Sequence, residues 1–287
     1  MLSAPHQMKA VTDKVSNFTI DMKMVCPMQY RHDDALVAFA GRFLYHGNDS
    51  PLQSHVTFVP RTSKMFAVAI TDILPNSFLY HVYLADLASV EINLNGSQVP
   101  NSLKIPLRLI CWGCRARLQA SLSKVPVVSI SKNNIRIKAE GFVKIVAYGF
   151  LIRVNVLTAA INVDVRATVQ FVDGRLQLET NLDSVGITII KMPMRTILTN
   201  VLTPFLEDLL RGSAWPMVQE KLAKVLQESP VQIPTICGIQ LVNTSIELIE
   251  NCVIVASDIR YNVSNLIMKL QQSSEERRGI TQPTDPQ

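Results

Sequence analysis

The sequence predicts an α+β fold, in which a long, strongly twisted antiparallel sheet is wrapped around one long and one shorter amphipathic helix. Three observations predict it. Apolar and polar residues alternate over long runs, two segments switch to a helical period, and the order is strands, helix, many strands, helix, closing strands.

The alternation is clearest from Ile161 to Phe171. Ile161, Val163, Val165, Ala167, Val169 and Phe171 are apolar, and Asn162, Asp164, Arg166, Thr168 and Gln170 separate them. Period two over such a run predicts a half-buried strand about 36 Å long. Asp173-Gly174 follows, the pair preferred where both central residues of a tight turn need positive φ, and Arg175–Glu179 returns as the partner strand. Ile135, Ile137 and Ala139 repeat the pattern upstream, and Val253–Ile259 repeats it less cleanly. Strands of this kind are antiparallel, apolar on one side and polar on the other.

The first helical segment is 75–89, with Pro75 in the first turn, where a missing N–H costs nothing. Phe78, Leu79, Val82, Tyr83 and Ala85 form its stripe, and Ser77, Tyr80, His81 and Ala88 lie elsewhere. The second runs from Pro193 to Leu210. Met194, Ile197, Leu198, Val201, Leu202, Phe205 and Leu209 share a face. Pro204 should bend it, Gly212 fits a C-terminal cap, and a shorter helix from Pro216 to Gln227 follows. Both stripes are expected to lie on the concave side of the curved sheet. The polar residues after Gln271 are expected to be a tail.

Hydrophobic residues make up 48% of the chain and charged residues 18%, a folding composition. A net charge of +5 is spread along the chain and aromatics are only 6%, which argues against a nucleic-acid surface. It is compatible with mild attraction to an anionic membrane. No apolar run is long enough for a spanning helix. The amino terminus, MLSAPHQMKA, lacks an apolar core, so no signal peptide is expected and cytoplasmic retention of this form is open. Sequons at Asn17, Asn48, Asn95, Asn243 and Asn262 lean the other way, towards a secretory history with N-glycosylation.

Reaction chemistry is not in view. The histidines stop at His81, none are paired at metal-ligand spacing, and neither a nucleophile elbow nor a phosphate loop is present. No cofactor or metal is expected, and the chain reads as a non-enzyme. Cys111-Trp-Gly-Cys114 can be a redox pair, half a zinc site, a local disulfide or two quiet thiols. Its extended flanks favour the last two.

The stretch SKMFAVAITDILPNSFLYHVYLADLASVEIN (63–93) carries a strand, a helix and a second strand. Together with PMRTILTNVLTPFLEDLL and VQIPTICGIQLVNTSIELIENCVIVASDIRY, it resembles the carboxy-terminal barrel of the bactericidal/permeability-increasing, lipopolysaccharide-binding and PLUNC-like family of the TULIP superfamily. The resemblance covers roughly residues 60–262. It implies a barrel over 61–268 and, over 1–60, a remnant of the amino-terminal half with a partial central sheet, whose strands would be Asn17–Val25 and Ala35–Tyr45. Residues 269–287 would be the tail. Two departures stand out. Nearly all of the amino-terminal barrel is missing, so antimicrobial activity does not carry over, and only a loop is expected between Asn93 and Ile105, where relatives insert a helical segment.

The resemblance implies binding, and by extension transfer, of phospholipid or a related amphiphile in an apolar slot between helices and sheet. Phe78, Leu79, Val82, Met194, Ile197, Leu198, Val201, Leu202 and Phe205 would line that slot. It further implies a secreted or secretory-lumen protein, peripheral membrane contact, and a homodimer through an exposed central-sheet edge. The rival expectation is a filled core in an innate-immunity or membrane-surface interaction module.

Overall fold

Residues that alternate in the sequence do become strands, and three of those strands are longer than the alternation alone predicts. The computed structural model describes residues 17–30, 35–53, 62–94, 115–149, 153–172, 175–191, 203–204, 206–208, 210–216 and 239–261. The largest sheet has six strands. It comprises β6 (Val90–Leu94), β7 (Arg115–Leu122), β8 (Val127–Ser131), β9 (Asn134–Tyr148), β10 (Arg153–Val172) and β11 (Arg175–Lys191). Its order is β11-β10-β9-β7-β6, with β8 also on β9, and every pairing is antiparallel. β10 has 20 residues, about 65 Å of strand at ~3.3 Å per residue.

β10 outruns its predicted length because a bulge hides the pattern. The register steps from Asn155 to Leu157 against β9, so Val156 is extra. The step changes the parity of the inward residues from Val154 to Leu157 and Ala159, and keeps them all on one face. Against β11, Ile190 is the extra residue, and at 51% exposed it points away from the core. Val172 pairs with Arg175, as a two-residue connection at Asp173-Gly174 requires.

A second sheet of three strands has β13 (Cys252–Tyr261) between β12 (Ile239–Ile249) and β5 (Phe66–Thr71). β13 corrects the expected half-buried alternation. Cys252 through Ser257 are all buried, with Val253 and Val255 on one side and Cys252, Ile254 and Ala256 on the other. A central strand covered on both faces has no polar side to display.

At the amino terminus β1 (Phe18–Asp21) pairs β4 (Arg42–Tyr45), and β2 (Gln29–Tyr30) pairs β3 (Ala35–Leu36). Val25 N donates to Ala38 O at 3.0 Å and Ala40 N to Lys23 O at 2.8 Å, so 18–30 and 35–45 run antiparallel as one irregular ladder. The extended stretches expected at Asn17–Val25 and Ala35–Tyr45 are therefore partners. Among the described residues β1 pairs only β4, and Ile20, Met22, Met24 and Val25 are exposed.

The first helix, α1, spans Ile73–Leu84. It stops before the predicted residue 89 because Asp86 takes φ 51. Leu87 N donates to Val82 O and Asp86 N to Tyr83 O, which closes the end with the paired reverse bonds of a left-handed cap. Ser89 Oγ donates to the Asp86 carboxylate and holds that turn. A second correction concerns the helix's buried side. Ile73, Ser77 and His81 are its buried residues, although Ser77 and His81 fall outside the apolar stripe.

Of the second predicted helix, 203–204 and 206–208 are helical and Leu210–Ala214 forms a π turn. Gly212 lies inside that turn and its φ is not positive, so it is not the cap expected there. Residues 193–202, Phe205, Leu209 and the expected helix beyond Pro216 lie outside the described residues, as do Cys111, Cys114, Asn95, Asn262 and the tail. No helix among the described residues is long and apolar enough to cross a membrane.

Candidate functional site

Registers place the inward residues of the six-stranded sheet in rows. Leu94, Ala116, Ala147 and Val154 form one row, and Ile92, Leu118, Ile145 and Leu157 the next. Then come Val90, Ala120, Val143, Ala159 and Ile189, followed by Leu122, Gly141, Ile161 and Ile187. Ala139, Val163 and Val185 follow, and after them Val128, Ile137, Val165 and Leu182. The last full row, Ile130, Ile135, Ala167 and Thr180, contains the first polar side chain.

Burial along this face is uneven. At one end Leu118, Val143, Ile145, Ala147, Leu157 and Ala159 form a closed upper core, and Leu206 of the second helical segment packs into it at 1% exposed. At the other end Val128, Ile130, Ile135 and Ala167 close against Val253 and Val255 of β13, with Leu79 of α1 packed alongside. Between the two lies a band that is apolar but only half buried. Ile161 and Ile187 touch the upper core from its margin, whereas Ala139, Val163 and Val185 belong to neither cluster. Along β10 its rows, at Ile161 and Val163, lie between the buried Ala159 and Val165, within a stretch of about 20 Å.

One glycine shapes it. A Cβ on Gly141 would stand 2.5 Å from the Ser121 carbonyl oxygen, so only glycine lets the end of β7 lie this close to β9. Ser123 N then donates to Glu140 O at 2.9 Å, and the chain steps from β7 to β8 along one edge of β9.

Helix α1 reaches the sheet through polar side chains as well as apolar ones. Phe43 N donates to Ser77 Oγ at 2.8 Å, and the His81 Nε2 atom lies 3.2 Å from Phe43 O. A nitrogen at that distance from a carbonyl is the donating, protonated one. Beside Ser77, Asn76 Nδ2 donates to Val128 O at 2.9 Å, while Val128 N donates to Asn76 Oδ1 at 2.7 Å. Each contact satisfies the outer backbone groups of a strand edge, of β4 in one case and β8 in the other. Asn251, at φ 59, adds a third link, since its N–H reaches Ile130 O and its carbonyl accepts from Asp72 N.

The sequence-predicted lining residues divide accordingly. Phe78 stacks on Phe18 and Phe43, with ring centroids 4.9 and 5.3 Å away. Leu79 packs on the lower core and Val82 is half buried, while Met194, Ile197, Leu198, Val201, Leu202 and Phe205 lie outside the described residues. Sequence reading missed Leu206, although it follows Leu202 of the predicted stripe by four residues, the spacing of one helix face. It also missed Asn76, Ser77 and His81, whose polarity placed them away from the buried side. Their signal was a polar cluster on a helix with little polar surface elsewhere.

Ionisable groups in these layers are few. Cys252 is a free, buried thiol, and burial, reinforced by the Asp72 charge, pushes its pKa up to about 11. Asp258 accepts from Lys64 Nζ at 2.8 Å, which holds its carboxyl below the usual range. Among the described residues no three His, Cys, Asp or Glu side chains are grouped to hold a metal ion.

Comparison with known proteins agrees with this architecture. The family model for the LBP / BPI / CETP family, C-terminal domain, matches residues 12–261. "Nose resistant to fluoxetine protein 5" of Caenorhabditis elegans is 20% identical over 271 residues, and the match covers 92% of this chain and 49% of that protein. The crystal structure of lipopolysaccharide binding protein superposes with a TM-score of 0.50 at 17% identity, covering 85% of this chain and 55% of the other. The chain thus spans about half the length of the relatives it matches, and the structural likeness is one of fold.

Proposed function

The chain belongs to the LBP / BPI / CETP family, and from that premise we propose that it binds the acyl chains of a phospholipid or related amphiphile and catalyses no reaction. The observation that carries this reading is the half-buried band. Seven rows of an inner sheet face hold one polar side chain, yet Ile161, Val163, Val185 and Ile187 are not sealed between the two closed cores. Each methylene moved from water onto such a surface gains about 0.8 kcal/mol, so an acyl chain laid along the band is strongly held. Family members are lipid-binding proteins rather than enzymes, which supports the same reading.

In the proposal, Ala139, Ile161, Val163, Val185 and Ile187 form the floor. Met194, Ile197, Leu198, Val201, Leu202 and Phe205 form the facing wall, with Phe78, Leu79 and Val82 towards the α1 end. In the same proposal, residues 61–268 make the barrel and 1–60 belong to an amino-terminal half and its central sheet. Exposed sequons at Asn48 and Asn243 support a secretory route, and Asn17 is half buried. A second copy is the proposed occupant of the open β1 edge, because unpaired strand edges join antiparallel about a twofold axis.

The test is native mass spectrometry of the full chain after incubation with phosphatidylcholine vesicles and gel filtration. A bound mass of one phospholipid or more, reduced by Val163→Trp, which fills the band with a side chain, supports the reading. A clean apoprotein mass for both forms overturns it in favour of a filled interaction module.

A further inference from the structure

The opposite face of the same sheet carries a second feature, which owes nothing to the acyl-chain band. At the end where β9 turns into β10, two guanidinium groups lie on one aromatic ring. The Arg117 Cζ is 4.8 Å from the centroid of Tyr148 and the Arg153 Cζ is 5.1 Å from it. Arg115 and Arg153 both sit directly across from Tyr148 in register, so all share the outer face. Two rows further in, past Arg117, Val146 and Asn155, Lys144, Thr158 and Lys191 stand side by side across β9, β10 and β11. Five cations are thus gathered here, and the carboxylate among them is Glu91, bound to Arg117 at 2.9 Å.

The other end of this face is built differently. There Lys124 pairs with Glu140 at 2.7 Å, Arg166 with Asp183 at 2.8 Å, and Arg136 lies 3.8 Å from Asp164. Among the described residues, Arg115, Lys144, Arg153 and Lys191 have no carboxylate partner, and all four side chains are exposed. Like charges held together without counter-ions cost folding energy, and they repay it only when an anion arrives. Tyrosine between arginines suits the boundary of water and headgroups, where a ring can sit in the apolar layer and its hydroxyl in the polar one.

From this we infer that the Arg115, Arg117, Tyr148 and Arg153 cluster, with Lys144 and Lys191 behind it, docks the protein on a bilayer surface bearing anionic lipid headgroups. Guanidiniums match headgroup phosphates two bonds at a time.

The experiment is flotation of the full chain with phosphatidylcholine vesicles, with and without phosphatidylserine. The expected result is binding to phosphatidylserine vesicles that weakens with salt. Arg153→Gln lowers the partition coefficient about fivefold and Arg115→Gln/Arg153→Gln about 25-fold, at roughly fivefold per basic residue near such a surface. Lys132→Gln/Lys138→Gln removes the same charge from the far end of β9 and changes binding less than about twofold, because those side chains stay beyond a Debye length of the lipid. Equal loss in both double variants, or no preference for phosphatidylserine vesicles, overturns the proposal. So does retention of an acidic protein or nucleic acid by a chain that leaves vesicles unbound. Since the cluster is on the face opposite the band, Val163→Trp leaves flotation unchanged, and the two readings fail separately.

Discussion

Replacing Asn76 with alanine tests whether α1 is a strut between strand edges. The Asn76 amide makes two bonds to the Val128 backbone, at 2.9 and 2.7 Å, and Val128 is 5% exposed. Alanine leaves that N–H and that carbonyl without partners in a place water reaches poorly. Each unsatisfied buried group costs about 1–3 kcal/mol, so the expected loss for the two is about 2–6 kcal/mol. For a domain of this size that lowers Tm by about 4–24 °C. Urea unfolding of the full chain, followed by far-UV circular dichroism, reads the change. If Asn76→Ala stays within about 0.5 kcal/mol of the natural chain, as an ordinary surface substitution would, the strut is not what joins α1 to β8.

Three further outcomes follow from the same layers. The Cys252 thiol, raised from 9.0 to about 11, favours the folded state below its unfolded pKa, so stability falls as pH rises between these values; Cys252→Ala removes that slope in alkaline urea titrations, and a slope left unchanged contradicts the burial argument. Gly141→Ala places a Cβ 2.5 Å from the Ser121 carbonyl and costs about 1–3 kcal/mol, whereas Gly212→Ala, with open space around it, is near neutral; equal effects in thermal unfolding would contradict the close approach of β7 to β9. Met22→Lys/Met24→Lys, on the exposed stretch that continues β1, shifts the chain to monomer in light scattering, and a dimer that persists places the interface elsewhere.

How far the sequence could be read depended on what hid its periods. Alternation survives where no residue is inserted, so Ile161–Phe171 could be recognised directly. Val156 and Ile190 each add one residue to a ladder and flip the parity, which conceals the first third of β10 and the end of β11. β13 was blurred for a different reason: both of its faces are buried, and a strand with two apolar sides has no period to detect. The helix α1 was placed to within a few residues, but its buried side was misassigned. Hydropathy ranks Ser77 and His81 as surface, while the unpaired backbone of Phe43 makes a polar partner the favourable one to bury. The end of α1 was unmarked because Asp86, not glycine, adopts the left-handed turn. The Arg117–Tyr148–Arg153 stack was beyond reach, since its members come from three strands whose register only folding sets.

The central claim is that an acyl chain occupies the band between the two closed cores. Methyl NMR of the full chain, with phospholipid spin-labelled near the end of one acyl chain, tests it most directly. The account predicts strong broadening of the Ile161, Val163, Val185 and Ile187 methyls, with those of Ile254 and Val255 preserved. Uniform broadening, or broadening confined to the exposed methyls of Ile20 and Val25, would place the lipid on the outside of the protein and contradict it.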